Sequence, residues 1–409
     1  MTISLTDPLR QSGHITARRM TKQPQRIEFL DGIRGIAALS VLLGHSFTSF
    51  KWHPAIVKFF DLPLAHMPFD GKAAVAMFFV LSGFVLSRPY CVSTHPGSPA
   101  RKLFWPGFYA RRVTRIWLPW FFVFCLSALA QSFCFKSWPT TPAPTPWFSQ
   151  SWHVPLTMDH FWQQCVFAIE NPVIQLVSQD WSLGIELTAS ALLPFLLFLA
   201  TLRPFHWWWL VGVLILMVAI MSKGHFYGSF IMGVLLARYG DGLKEWLGPK
   251  PLFVKGWLLF AGVLLYNANH FGVETHYFNL FCEKLFWLGT SAGCILILVA
   301  SMASKRIQAA LHLPPVIFLG RISYSVYLLQ MIVILCVLPP WVHLLNAWGI
   351  SSTIWLLPLT LTASVAVTVG MSALTYRWIE VPCIDLGHKL SKRLLLSVSL
   401  KKTQSPVKV

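Results

Sequence analysis

The chain consists of long apolar runs separated by short polar segments, without the short-period alternation of a soluble sheet or surface helix. A membrane-spanning helix needs about 20 mostly apolar residues. By that criterion the sequence predicts helices near 33–50, 73–90, 113–135, 181–202, 206–222, 225–239, 252–268, 284–303, 315–338 and 353–376. The expected fold is therefore all-α, a polytopic membrane helix bundle with about 10 transmembrane helices.

Composition supports a membrane protein. Of the 409 residues, 55% are hydrophobic and only 12% are charged, and the mean hydropathy is +0.58. A soluble domain carries roughly 25% charged residues. The aromatic content of 14% is typical of proteins with long lipid–water boundaries. These values exclude a soluble enzyme, a disordered chain and a disulfide scaffold.

The distribution of charge predicts the orientation. The formal net charge is +18. With the N-terminus inside, 27 of the 33 Lys and Arg residues fall in cytoplasmic segments, as the positive-inside rule requires. Both termini are thus expected in the cytoplasm, as basic tails (1–28 and 383–409) flanking a transmembrane domain at 29–382. The tails suit anionic lipid, and no basic, aromatic-interleaved patch indicates nucleic acid.

The first predicted helix carries two ionisable side chains on one face. Arg34 and His45 are eleven residues apart, which is close to three helical turns and a rise of about 16 Å. Arg34 is expected at the cytoplasmic edge and His45 near mid-membrane. An ionisable group at that depth is a functional candidate. A histidine that hydrogen-bonds between helices is the alternative.

Three further polar side chains of interest lie in the first third of the chain. Ser82 lies in the stretch Phe-Phe-Val-Leu-Ser-Gly-Phe, where it serves either close helix packing or a reacting carbonyl. Arg112 and Arg115 are neighbours on one helical face at the cytoplasmic boundary. Such a pair of guanidinium groups suits a polyphosphate, although ordinary cytoplasmic anchoring also explains it.

The fourth predicted helix opens with Trp181, Ser182 and Glu186. Ser182 and Glu186 are four residues apart and share a face. A carboxylate inside the membrane is expensive unless it is paired or faces water. Glu186 is therefore a candidate to orient His45, to act as a base, or to accept a sugar hydroxyl.

The last two helices carry polar side chains. Tyr324 and Gln330 are expected to give the ninth helix a polar lining. Arg377 and Glu380, which close the tenth helix, are predicted to form an interfacial ion pair.

The longest outer segment, 136–180, holds a proline-rich run and several tryptophans. These aromatic side chains are either a lid that stacks on sugar or interfacial anchors; they are Trp138, Trp147, Trp152 and Trp162. Near His270, Glu274 and His276 give a faintly metal-like spacing, for which a solvated loop is the preferred interpretation. We expect no metal.

The motifs together resemble the acyltransferase 3 family of membrane O-acyltransferases. They are Leu-Asp-Gly-x-Arg-Gly with Arg-x10-His (34 and 45), Phe-Phe-x-Leu-Ser-Gly-Phe (78–84), Arg-x-x-Arg (112 and 115), Trp-Ser-Leu-x-x-Glu (181–186), Ile-Ser-Tyr-Ser-x-Tyr-Leu (322–328) and Ile-Glu-x-Pro (379–382). One position departs from the pattern, because many members carry His where this chain has Gln330, and Gln cannot shuttle a proton.

The resemblance implies an acyl-CoA donor, expected to be acetyl-CoA, in the cytoplasm and a hydroxyl acceptor on an extracytoplasmic glycan or glycolipid. It implies that CoA phosphates bind Arg34, Arg112 and Arg115, and that His45 acts as general base, with Arg34 and Glu186 as further catalytic residues. Expected substrate-binding residues are Ser82, Trp181, Ser182, Tyr324 and Gln330.

The implied setting is cell-envelope polysaccharide modification by a multi-pass protein of a bacterial inner membrane. Two alternatives stay open. A proton-coupled transporter of a sugar or small anion also places His and Glu in the membrane. A non-catalytic subunit of a glycan-export complex would retain the scaffold.

Overall fold

The computed structural model describes residues 27–91, 104–152, 156–165, 176–199, 208, 211–213, 215, 224–268, 270 and 280–404. Within these ranges the regular structure is helical. The helices are α1 (Glu28–Thr48), α2 (Pro54–Phe60), α3 (Pro63–His66), α4 (Gly71–Cys91), α5 (Trp105–Phe133), α6 (Pro146–Gln150), α7 (Met158–Gln164), α8 (Asp180–Leu199), α9 (Gly224–Leu247), α10 (Leu252–Tyr266), α11 (Leu280–Ala303), α12 (Lys305–Leu311), α13 (Pro314–Cys336), α14 (Leu338–Ala347), α15 (Thr353–Thr375) and α16 (Val381–Gln404).

Among the described residues, six helical stretches are long and apolar enough to cross a membrane. They are Gly71–Cys91, Trp105–Phe133, Asp180–Leu199, Leu285–Ala303, Pro314–Cys336 and Thr353–Val398. The protein is thus an all-helical membrane protein. A total of about ten spans and a cytoplasmic position for both termini remain predictions. Most of the predicted helix 206–222 lies outside the described residues.

Several helices extend beyond their apolar runs. Helix α5 begins at Trp105, eight residues before the predicted 113, and α9 continues to Leu247 rather than ending near 239. Charged residues end an apolar window without ending a helix, because Arg and Lys are good helix formers. The early turns of α5 pack along α16, where Gly387 lies against Thr114 and Arg111 hydrogen-bonds to Ser391.

Helix α13 is the most buried of the six spans, and its most extensive contact is with α1. Two glycines allow the close approach. A Cβ at Gly35 would lie 2.6 Å from the backbone nitrogen of Gly320, and a Cβ at Gly320 would clash with the carbonyl oxygen of Asp31. This crossing fixes the position of Arg34 relative to α13.

We refer to the two ends of the bundle by the residues of α1, as the Glu28 end and the Thr48 end. At the Thr48 end the proline-rich segment pairs with the chain that follows α1. Lys51 donates its backbone N–H to the carbonyl of Ala143 at 2.9 Å, and Thr145 donates to Ser49 at 3.0 Å. This pairing places α6 beside the end of α1.

A π-helical turn, Tyr376–Glu380, joins α15 to α16 without breaking the helix. It turns Glu380 into the bundle, where the carboxylate accepts a hydrogen bond from Ser325 at 2.9 Å. Arg377 lies instead over the ring of Trp378. The predicted Arg377–Glu380 ion pair is therefore wrong, because the extra residue of the π turn directs the two side chains to different faces.

Candidate active site

A cavity of about 830 Å³, including its open mouth, lies between α1, α4, α5, α8 and α13. On α4 it reaches from Leu86 to Val75, a rise of about 16 Å. We call it the arginine cavity, because three arginines line it. Its lining includes seven residues that the sequence singled out: Arg34, Ser82, Arg112, Arg115, Ser182, Glu186 and Tyr324.

Glu186 holds one of these arginines in place. Nη2 of Arg112 lies 2.6 Å from Oε1 of Glu186, and the hydroxyl of Ser82 donates to the same oxygen at 2.9 Å. The Nε of Arg112 is buried and has no hydrogen-bond partner among the described residues. Because Nε of a guanidinium can only donate, Arg112 holds a buried, unused donor in the wall of the cavity.

The other two arginines belong to the same charge network. Arg115 interacts electrostatically with Arg34, Arg112 and Glu186, and also with Glu380 behind the cavity wall. Arg34 interacts with both carboxylates. Three guanidinium groups therefore face two carboxylates, which leaves an excess of one positive charge for a ligand.

A group of hydrogen bonds closes the cavity toward the Thr48 end. The hydroxyls of Ser182 and Tyr327 are hydrogen-bonded to each other at 2.6 Å, and the one that accepts there donates to the backbone carbonyl of Gln179, just before α8. The Gln179 carboxamide donates to the carbonyls of Tyr327 and Leu328, at 2.8 Å each. We call Gln179, Ser182 and Tyr327 the partition.

His45 lies beyond the partition and does not line the arginine cavity. It occupies the last turn of α1, where its ring stacks on Trp147 of α6 with centroids 5.5 Å apart, and its side chain interacts with Gln330. The expected mid-membrane depth of His45 stays a prediction. We call His45, Trp147 and Gln330 the histidine pocket.

The histidine pocket contains unpaired polar atoms. Nδ1 of His45 and Oε1 of Gln330 are buried without a hydrogen-bond partner among the described residues. The Gln330 amide nitrogen donates to the carbonyl of Tyr327 at 3.1 Å, so that carbonyl links the pocket to the partition. Oε1 of Gln179 is buried and unpaired as well.

The structure separates other residues that the sequence grouped together. Glu186 does not contact His45, because its carboxylate is engaged by Arg112 and Ser82; the predicted steering of the imidazole by Glu186 is not supported. Trp181 packs against Phe226 outside the cavity lining. Tyr324 lines the cavity and donates its hydroxyl to the carbonyl of Ile116 at 2.6 Å, which ties α13 to α5.

Gln179 was missed from the sequence, and Trp147 was named there but not distinguished from the other tryptophans. Gln179 lies two residues before the Trp-Ser-Leu motif, in a segment with no apolar periodicity. Its placement depends on the indole of Trp152, which donates to the carbonyl of Leu176, and on Gln164, which accepts from the Leu176 amide. Trp147 was one of four tryptophans that sequence could not rank. It is the one that contacts His45, whereas Trp162 is 66% exposed.

Comparison with known proteins gives one match. The family model Acyl_transf_3, described as an acyltransferase domain, matches residues 27–377, nearly the whole chain. No curated protein matches, and no solved structure matches. The matched range contains the arginine cavity, the partition and the histidine pocket.

Proposed function

The chain belongs to the acyltransferase 3 family of membrane O-acyltransferases, and we propose that it moves an acetyl group from cytoplasmic acyl-CoA to a hydroxyl of an extracytoplasmic glycan or glycolipid. The observation that supports this proposal is that two ionisable side chains of α1 belong to two different regions. Arg34 lines a large cationic cavity, whereas His45, in the last turn of the same helix, lies next to Gln330, and each of the latter two has a buried polar atom without a partner among the described residues. The proposed donor-binding site and the proposed general base therefore lie in separate regions of the protein.

In this proposal the donor's phosphates bind in the arginine cavity at the Glu28 end. Guanidinium groups bind phosphate oxygens bidentately and keep their charge at any physiological pH. Arg112 reaches the phosphates through the Nε–H that the protein leaves unpaired. Glu186 acts as a positioning residue, because it fixes Arg112 while Ser82 fixes Glu186.

His45 is the proposed general base. The acceptor hydroxyl gives its proton to the imidazole as its oxygen attacks the thioester carbonyl. The carbon–oxygen bond forms, the carbon–sulfur bond breaks, and the proton passes to the departing thiolate. The products are the ester and free CoA thiol. Gln330, with its unpaired carboxamide oxygen, is suited to accept a hydrogen bond from the acceptor rather than to relay a proton.

The two regions are spaced for a long, thin donor. Arg34 and His45 are separated by a rise of about 16 Å along α1, comparable with the reach of a pantetheine arm. Tyr327 of the partition lies one helical turn before Gln330 on α13. In this proposal a thioester reaches His45 when Gln179 or Tyr327 moves.

The family match favours an enzyme over the transporter and scaffold alternatives. We also propose that the protein lies in the cell envelope, in a bacterial inner membrane, with its basic tails on anionic lipid. The expected substrate-binding set is revised by one residue, because Trp181 packs away from the cavity.

The test is acyl transfer from radiolabelled acetyl-CoA to an acceptor-rich membrane extract by the purified full-length protein. We expect wild type to label glycan and His45→Ala to label it 100- to 10,000-fold more slowly, roughly the contribution of a general base. His388→Ala is the matched control, since His388 is exposed on α16. A wild-type protein that neither binds nor consumes acetyl-CoA overturns the donor assignment.

A further inference from the structure

Three metal-binding side chains from distant parts of the sequence meet at the Thr48 end. Asp61 follows the last residue of α2, His66 ends α3, and His270 lies just beyond α10. One ligand atom of each lies within 4.8 Å of the other two. The imidazole rings of His66 and His270 stack with centroids 3.7 Å apart and an interplanar angle of 14°.

Both imidazoles have their tautomer set by a backbone carbonyl. Nδ1 of His66 lies 3.2 Å from the carbonyl oxygen of Phe60, and Nε2 of His270 lies 3.2 Å from that of Asp61. A carbonyl can only accept, so the ring nitrogen that faces it carries the hydrogen. Metal-ligating histidines characteristically donate their second ring nitrogen to such an acceptor.

We propose that Asp61, His66 and His270 bind a Zn²⁺ ion. Two imidazoles and one carboxylate form a ligand set that zinc accepts, with water in the fourth position. Bonds of about 2.1 Å in a tetrahedral site place ligand atoms about 3.4 Å apart. The ligand atoms, now up to 4.8 Å apart, therefore have to approach by up to about 1.4 Å, and the stacked imidazole rings have to turn so that both ring planes meet at the ion.

The site joins two connections that are otherwise separate. Asp61 and His66 belong to the chain between α1 and α4, whereas His270 follows α10 about two hundred residues later. The 3₁₀ turn Met67–Phe69 comes directly after His66, and a Cβ on Gly44 would meet the carbonyl of Phe69. Bound zinc would thus hold in place the segment that packs beside His45. The proposal does not depend on the acyltransfer mechanism.

This inference revises the expectation of a metal-free solvated loop around His270. Glu274 and His276 lie outside the described residues, so the proposed ligands are not those of the local spacing. The sequence offered no reason to connect His270 with Asp61 and His66.

The experiment uses the full-length protein in detergent, purified without a polyhistidine tag, stripped with chelator and dialysed against Zn²⁺. We expect one retained zinc per chain by elemental analysis, and intense visible absorption when Co²⁺ replaces Zn²⁺ at a tetrahedral site. Asp61→Asn, His66→Gln and His270→Gln should each weaken Zn²⁺ binding at least tenfold. Zn²⁺ should raise the thermal midpoint of wild type and leave those of the three variants unchanged.

His388→Ala serves as the matched control, because it removes an exposed histidine far from the cluster and should retain zinc like wild type. Size-exclusion elution identifies any variant that fails to fold, and the conservative replacements keep side-chain volume near its original value. Failure of wild type to retain zinc overturns the proposal. Equal retention by wild type and all three ligand variants also overturns it.

Discussion

The arginine cavity and the histidine pocket lie toward opposite ends of the same helix, and they leave opposite kinds of polar atom unpaired. In the cavity the unpaired atom is the Nε–H of Arg112, a donor. In the pocket the unpaired atoms are Oε1 of Gln330, an acceptor, and Nδ1 of His45. A buried polar group without a hydrogen bond costs free energy. A buried hydrogen-bond donor is therefore suited to an anionic ligand, and a buried acceptor is suited to a hydroxyl group. The difference indicates two ligands with different chemistry.

The two regions also differ in the interactions that hold their functional side chains in place. Arg112 is held by Glu186, which itself accepts a hydrogen bond from Ser82, and Arg115 interacts electrostatically with Glu380 before any ligand binds. Among the described residues, the His45 side chain interacts with Gln330 and stacks on Trp147. A site that holds a charged donor benefits from fixed cations, whereas a general base needs a free nitrogen.

The largest predicted effect in the cavity follows from removing Arg112. Arg112→Ala should weaken acetyl-CoA binding about 10- to 100-fold, since a hydrogen bond to a charged group contributes about 1.5–3 kcal/mol. It should also lower the thermal midpoint, because Glu186 loses its cation. Equilibrium binding of labelled acetyl-CoA and thermal unfolding measure the two effects.

The adjacent residue provides the control for that change. Arg111 points to Ser391 on α16 rather than into the cavity, so Arg111→Ala should bind the donor like wild type. Adding Glu186→Ala to Arg112→Ala should recover stability without recovering donor affinity. Equal loss of affinity in Arg111→Ala and Arg112→Ala would show that the arginines contribute only general positive charge.

A backbone change tests whether the spacing of the two regions depends on the α1–α13 crossing. Gly320→Ala places a methyl group against the carbonyl of Asp31 and should destabilise the protein by about 1–3 kcal/mol, as overpacking does. We expect a lower thermal midpoint together with weaker donor binding through displaced Arg34. Gly370→Ala, at a helical glycine with open space around it, should lack both effects.

The smallest predicted effect comes from a change in the partition. This change distinguishes a barrier between the two regions from a substrate-positioning role for Gln179. Gln179→Ala removes two hydrogen bonds to α13, each worth about 1 kcal/mol. Because it opens the route between cavity and pocket without touching the arginines, we expect donor affinity within about twofold of wild type and faster thioester hydrolysis by water. Gln308→Ala removes a similar pair of hydrogen bonds at the other end of the bundle and should leave hydrolysis unchanged. Slower donor consumption in Gln179→Ala alone would assign Gln179 to substrate positioning.

Sequence reasoning anticipated the arginine cavity more fully than the histidine pocket. Arg112 and Arg115 share a helical face, and helical periodicity is a local property that the sequence displays. The family motif also marked Arg34, Ser82 and Glu186, all of which reach the cavity. What the sequence could not show was that Glu186 pairs with Arg112 rather than with His45, because that choice depends on how α5 and α8 pack.

The histidine pocket was harder to predict because its parts come from irregular or distant segments. Trp147 reaches His45 only because the proline-rich run pairs with the chain after α1. Gln179 reaches α13 through contacts made by Trp152 and Gln164. The bounds of α1 also differ from the prediction, because the helix begins at Glu28 rather than 33 and ends at Thr48 rather than 50.

The division of labour between the two regions is tested most directly by measuring donor binding and acyl transfer on the same two variants. We predict that His45→Ala binds labelled acetyl-CoA with wild-type affinity and fails to transfer the label. Arg112→Ala should bind weakly but transfer at a recoverable rate when the donor is saturating. If His45→Ala loses donor affinity as strongly as Arg112→Ala does, the two regions form one binding site and the account is contradicted.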